Sequence, residues 1–267
     1  MTEITARASS WPSLFDCSYR WEGEQILGMR KPSGLRSVLG SAVHASTACF
    51  DQAKLDGNPI SPYDASEAFM ETLHHPEGEV DYKQDEKLTL ADAERIGLTL
   101  HSMYCTTIAP QFNYEAVEMK LDPLRIDCEN GVVITLTGSM DRSRVATTAA
   151  GAVIPDIKTG SRIVQEGQVN LKGKAAQCGT YQLMYEATTG KPTAGGQIIA
   201  LPTTSKPTPM VSKVFDAKRV MLGADGQPGL IELAAVMFKT GLFPPNPSSV
   251  LCNKKFCARW DTCIYHE

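Results

Sequence analysis

The run Val153-Ile154-Pro155-Asp156-Ile157-Lys158 constrains this chain most. Val153 to Ile157 is rich in β-branched residues, which suit a pleated and largely buried strand. Side chains alternate along a strand, so Asp156 and Lys158 share a face while Ile157 points into the core. Upstream lies Gly138-Ser139-Met140-Asp141. Read as the ends of neighbouring strands, the two segments bring two carboxylates and one ammonium to a single point. A hard cation such as magnesium takes such a set, with the Ile157 carbonyl as a further oxygen ligand and water or phosphate completing the shell. That is the minimal equipment for activating a water against a phosphodiester.

The texture around these segments predicts a mixed α/β chain. A short helix is expected from about Pro12, capped by Ser10 and carrying Leu14, Phe15, Cys17 and Trp21. Leu35, Val38, Leu39, Ala42, Val43 and Phe50 repeat with helical spacing, with Ser46 in the same stripe. His44 falls off that stripe, among the small residues Ser37, Gly40, Ser41 and Ala48. Residues 56–112 read as helical with polar loops, and His74-His75-Pro76 within them reads as surface. Strands follow: Val117, Met119 and Leu121 alternate with Glu118 and Lys120, and Gly131–Thr137 is β-branched. Leu171–Thr189 reads as a helix closed by Gly190, Gln197–Leu201 as a strand, and Leu230–Lys239 as a last helix. Nothing in the chain marks a second domain.

Helical spacing makes Gln177 and Tyr181 neighbours on one face, with Lys174 one turn before. The eight cysteines divide in two. Cys49, Cys105, Cys128 and Cys178 sit singly in periodic segments and read as core. Cys17, Cys252, Cys257 and Cys263 sit at the ends, and four thiolates can hold either zinc or a 4Fe–4S cluster. Tight Cys-x-x-Cys pairs, usual for structural zinc, are missing.

Taken together these motifs resemble the PD-(D/E)XK nuclease superfamily, in its RecB-like exonuclease branch. Gly138-x-x-Asp141 and Asp156-Ile157-Lys158 carry the core resemblance. Gly40-x-x-x-His44 is similar to that branch's metal-binding histidine motif, and Gln177-x-x-x-Tyr181 to its Gln-x-x-x-Tyr motif. Cys17 with Cys252-x4-Cys257-x5-Cys263 resembles the iron–sulfur clasp of AddB-type and CRISPR-associated exonucleases. The resemblance implies a restriction-endonuclease-like core, a central mixed sheet flanked by helices, with residues 56–112 as a helical insertion. It implies a metal-dependent DNA exonuclease acting in recombination, repair or processing. Asp141, Asp156, Lys158, Gln177 and Tyr181 would be catalytic. His44, Asp141, Asp156, the Ile157 carbonyl and Glu118 would surround Mg²⁺ or Mn²⁺, and the four terminal cysteines would hold a 4Fe–4S cluster. A structure-selective or nicking endonuclease, and a non-catalytic iron–sulfur partner subunit, are the rival readings.

Bulk properties bound the rest. At 267 residues one domain can bury about 70–75% of its unfolded surface. The net charge of −4 does not by itself suggest a nucleic-acid binder, since neutralising phosphates takes basic surface. The basic residues are clustered, Arg30, Lys31 and Arg36 before the His44 helix, Lys172 and Lys174 before Gln177, and Lys254, Lys255 and Arg259 within the cysteine segment, which leaves open either a local basic track or ordinary solvated side chains. No run approaches the roughly 18 apolar residues of a membrane span, and Met1–Ser13 lacks the apolar core of a signal peptide. A cytoplasmic protein is expected, with DNA as substrate and a homo-oligomer or helicase as possible company. The chain has no Gly-x4-Gly-Lys-Ser/Thr phosphate loop, so it carries no motor. It has no His-Glu-x-x-His or Gly-x-Ser-x-Gly either, which excludes the common metalloprotease and hydrolase sites.

Overall fold

Two sheets organise the chain in the computed structural model, which describes residues 1–85, 87–145 and 151–266. The elements that matter are, in order, β1 (Thr2–Arg7), α1 (Trp11–Asp16), α2 (Ser18–Gln25), α3 (Leu35–Leu55), α4 (Pro62–His74) and α5 (Leu90–Met103). Then come β2 (Ala116–Lys120), β3 (Leu124–Asp127), β4 (Val132–Thr137), β5 (Ser139–Val145), β6 (Ala152–Thr159) and α6 (Ala175–Thr189). The chain finishes with β7 (Thr193–Leu201), β8 (Met210–Val211), α7 (Lys218–Leu222) and α8 (Leu230–Thr240). A central five-stranded sheet runs β8-β7-β6-β5-β2, and a three-stranded sheet runs β1-β4-β3. In the central sheet β6 and β7 are parallel, joined across one face by α6, and the other pairings are antiparallel. This is the mixed sheet flanked by helices that the motifs imply.

Helices cover both sides of the central sheet. On one side α3, α4 and α5 pack Val38, Leu39, Phe69 and Leu100 against Ile157, Ile199 and Leu201. On the other, α6 is held between the two sheets, its Tyr181, Met184 and Tyr185 meeting Met140 and Ile154 of one and Ile134 and Leu136 of the other. Residues 56–112 are helical as their texture predicts, and α4 opens with a reciprocal Ser61/Asp64 capping box.

Several local expectations need correction. Thr2–Arg7 is a strand, paired in parallel with Val132–Thr137, which therefore lies in the small sheet and outside the central one. The first helix breaks at Cys17, whose extended backbone (φ −144°, ψ 95°) separates α1 from α2. Ser10 provides no cap; its hydroxyl donates back to the Arg7 carbonyl at 2.9 Å. α6 begins at Ala175 instead of Leu171 because Gly173 adopts φ +73°, a left-handed conformation that a helix cannot include. Its other end, at left-handed Gly190, falls where expected.

The C-terminal segment after α8 returns to the first helices. Trp21, wholly buried, stacks on Phe238 at 5.4 Å and Phe243 at 6.4 Å. Tyr19 N donates to the Pro244 carbonyl, Asn246 Nδ2 to the Asp16 carbonyl at 2.9 Å, and Ser249 Oγ to the Asp16 carboxylate at 2.6 Å. Among the described residues no helix is long and apolar enough to cross a membrane.

Candidate active site

Strand register aligns the acidic residues. β5 and β6 are paired at Arg144–Val153 and Val145–Ala152, and extending that register sets Asp141 opposite Asp156. β2 and β5 are paired on both sides of Glu118, which extends the row to Glu118 opposite Asp141. The ladders open at these positions. Glu118 has φ +46°, rare for a residue with a side chain and a form of strain associated with functional sites. Between β5 and β6 a side chain replaces the missing ladder bond: Ile157 N donates to Asp141 Oδ2 at 2.7 Å. Ile157 itself faces the α3 side of the core, while Asp156 and Lys158 meet each other, as alternation predicts. Asp156 is not at a strand end, however. It lies mid-strand in β6 and is 1% exposed.

Two glycines explain how the other elements approach. A Cβ at Gly40 would stand 3.1 Å from Thr159 Oγ1, so glycine there lets α3 lie close to the end of β6. One turn later His44 Nδ1 reaches Asp141 Oδ2 at 3.4 Å. A Cβ at Gly138 would stand 3.1 Å from Tyr181 Cε1 and 3.2 Å from Ala8 Cβ. Glycine thus admits the Tyr181 ring beside the start of β5, where Gln177 Nε2 donates to the Tyr181 hydroxyl at 3.0 Å.

His44, Glu118 and Asp141 each offer an atom within 4.8 Å of the others. Each of the three carboxylates keeps one oxygen tethered by the protein. Asp141 Oδ2 takes the Ile157 N–H, Glu118 Oε1 takes Arg142 Nη1 at 3.2 Å, and Asp156 Oδ1 takes Lys158 Nζ at 2.8 Å. Asp156 Oδ2 is also 2.7 Å from that ammonium but has no hydrogen bond of good geometry, so it remains a buried acceptor with spare capacity. Oxygens left over from three tethered carboxylates, beside one imidazole, fit a divalent ion. Asp156 adjoins the three-residue group through Asp141 without belonging to it. His44, Glu118 and Lys158 open into one cleft of about 1220 Å³, whose far wall includes Glu71, His75 and Pro76. His74 and His75 are exposed, as their surface reading expects; His75 and Pro76 border the cleft, and His74 lies 3.4 Å from Glu94.

The electrostatics are those of crowded, partly dry charge. Burial holds the Asp156 carboxyl above its usual range; Lys158 opposes this and Asp141 adds to it. Burial, then Asp141, likewise raises Glu118 against the pull of Arg142 and His44. Burial alone would lower the Lys158 ammonium, but Asp156 and Asp141 carry it above its ordinary value. Lys174 is lowered by burial and then by Lys158, and Tyr181 is raised by burial and then by Asp156 and Asp141. Both side chains therefore sense the site.

One group escaped the sequence reading. Arg142, fully buried, donates from Nε to Asp51 Oδ2 at 2.7 Å and from Nη1 to Glu118 Oε1 and to the Asp141 carbonyl at 2.7 Å. Tyr104 OH completes the set, donating to the same Asp51 oxygen at 2.5 Å from a π-helical turn that follows α5. A charged residue directly after Asp141, inside a strand, was the available signal.

Cys17 lies at the break between α1 and α2, and Cys252, Cys257 and Cys263 lie in the tail that returns there; among the described residues they do not form a group of ligand atoms within 4.8 Å of one another, as His44, Glu118 and Asp141 do. Burial, and then the neighbouring Cys17 and Cys263 thiols, raise the Cys252 thiol; burial is also the largest influence on Cys257, which senses the same two neighbours. None is in a disulfide. Asn246 N donates to Cys17 Sγ at 3.4 Å.

Over residues 8–264 the chain matches the PD-(D/E)XK nuclease superfamily, and it belongs to that superfamily. Its fold is similar to the crystal structure of a protein from Eubacterium rectale provisionally described as an exonuclease. The TM-score is 0.54 at 14% identity, covering 92% of this chain and 86% of that one. No curated protein sequence matches the chain.

Proposed function

We propose that this chain is a divalent-metal-dependent DNA exonuclease of the RecB-like branch, with an iron–sulfur clasp. The observation that carries the reading is the register-aligned row Glu118, Asp141, Asp156, with His44 and Lys158 opening into the same cleft. His44, Glu118, Asp141, Asp156 and the Ile157 carbonyl would hold Mg²⁺ or Mn²⁺, which when bound would supply positive charge at the scissile phosphate and make water a better nucleophile. Lys158, its pKa raised by two carboxylates, keeps its proton at neutral pH. Its part is to donate to the attacking water or a phosphate oxygen and offset developing negative charge. Gln177 fixes the Tyr181 hydroxyl, and Tyr181 closes the site beside Gly138. Arg142 orients Glu118 from below.

The exonuclease description of the Eubacterium rectale neighbour favours digestion from ends. The intact Asp141, Asp156 and Lys158 set speaks against a non-catalytic partner subunit. Purified protein with Mn²⁺ should degrade linear DNA and spare covalently closed circles of equal length. Rapid nicking of the circles would support the endonuclease reading instead. For the clasp, Cys17 at the α1–α2 break and three thiols from the returning tail supply four ligands, enough for a 4Fe–4S cluster. About four iron and four sulfide per chain are expected; one zinc and no iron would replace the cluster by a zinc site.

A further inference from the structure

A second groove, of about 620 Å³, runs beside the catalytic cleft, and Ser9, Ser33 and Ser37 line both. Five cations border it: Arg7 at the end of β1, Arg20 on α2, Arg30 and Lys31 on the connector, and Arg36 at the start of α3. Two acids share the lining, and both are engaged. Asp85 takes Arg36 at 3.2 Å and Lys255 at 3.8 Å, and Glu24 takes Arg20 at 3.7 Å. Arg7 and Arg30 are exposed and form no ion pair among the described residues, and Lys31 is held only by the Lys254 carbonyl. Arg7 and Lys31 thus stand without a carboxylate partner, while Arg30 lies near enough to Glu24 to share its charge with Arg20, on a chain of net charge −4. The apolar part of the wall comes from Pro32, Leu251 and Phe256.

We infer that this groove holds single-stranded DNA leading into the cleft, its phosphates on Arg7, Arg30 and Lys31 and a base against Phe256. The identity of the strand rests on the nuclease reading of the cleft; the groove itself rests on its own charges. A ligand that fills both spaces across the shared serines must be a chain, and the cations spaced along it call for a polyanion. A volume of this size accepts the equivalent of a drug-sized molecule, far less than a duplex. A basic groove with an aromatic platform is the arrangement that binds unstacked single strands.

The test is fluorescence anisotropy, without added divalent metal, on a labelled 20-nucleotide single strand and the corresponding duplex. The double variant Arg7→Ala/Arg30→Ala changes two exposed side chains, so its melting temperature should match the parent's. The parent should prefer the single strand. The double variant should lose tenfold or more of that affinity at moderate salt, and its log K against log salt slope should be shallower by about 1.4, the value for two phosphate contacts. Unchanged affinity and slope, or a parent that prefers duplex, would overturn the groove. If the parent cleaves no DNA yet the variant loses single-strand affinity, the groove stands and the nuclease reading falls. If the parent cleaves and the variant binds as before, the groove falls alone.

Discussion

Arg142 Nε stands 2.7 Å from Asp51 Oδ2, and neither side chain reaches solvent. The pair ties α3 to β5 directly beneath the acidic row, and the same guanidinium holds Glu118. Burial raises Asp51 in spite of Arg142 and Tyr104, so the ion pair compensates a cost without erasing it. Breaking it is costlier still. Arg142→Ala would leave Asp51 buried without a counterion and should destabilise the fold by about 3–5 kcal/mol. Tyr104→Phe, which removes one hydrogen bond to a charged group, should cost about 1.5–3 kcal/mol. Arg142→Lys should recover part of the stability but not the forked reach to Glu118, leaving the half-saturating Mn²⁺ concentration raised. Denaturant titrations and metal titrations of the three variants check this.

Gly40 offers a test in which stability and function separate. Gly40→Ala should gain up to about 1 kcal/mol of helix propensity. Its Cβ would nevertheless press on Thr159 Oγ1 and lift His44 from Asp141. The melting temperature should hold or rise while the Mn²⁺ requirement increases several-fold. Adding Thr159→Ala should restore the requirement, because it removes the atom in contact.

Glu118 gives the pH dependence. Its folded pKa is raised, so the ionised form is disfavoured in the metal-free fold. The stability it contributes is fully present below its unfolded pKa of about 4.3 and is lost as pH rises through the folded value. Metal-free Glu118→Gln should therefore melt higher than the parent at neutral pH, with the difference shrinking toward pH 4. Saturating Mn²⁺ should reverse the order, since the ligand stabilises only a protein that binds it. Thermal melts across pH, with and without the ion, measure both.

Cys257→Ser should lower the melting temperature and lose bound metal. In the proposed clasp Cys17 would join the tail through a shared metal or cluster, and its release would free a segment with little secondary structure of its own. Activity should fall only as the fold does, and iron and zinc analysis beside the melt separates the two.

The arrangement of the candidate site was legible in part because its spacing is local. Asp156 and Lys158 share a face through strand alternation alone, and Gly40 with His44 is one helical turn. Gly138 and Gly190 also mark positions where a side chain or a right-handed backbone would not fit. What escaped depends on long-range pairing. Nothing local tells that Thr2–Arg7 pairs with Val132–Thr137 and draws β4 out of the central sheet. The left-handed backbone at Glu118 and the Asp51–Arg142 pair exist only once α3 and three strands are assembled. Asp156 looked like a strand end because it is polar. In the fold it is a buried charge, tolerated because Lys158 lies beside it.

Asp156→Ala and Lys158→Ala, assayed on end-labelled linear DNA with Mn²⁺, test the central claim. On the proposed reading each would strip charge from the point where the phosphate reacts, and about 4 kcal/mol of lost transition-state stabilisation corresponds to roughly a thousandfold in rate. Circular dichroism should show the fold retained in both variants, though each leaves its partner unpaired, Lys158→Ala the more deeply buried Asp156 carboxylate, and both should melt lower. The account predicts cleavage reduced roughly a thousandfold or more in each, with single-strand binding preserved. Near-normal cleavage by both folded variants would place the active site elsewhere and contradict the account.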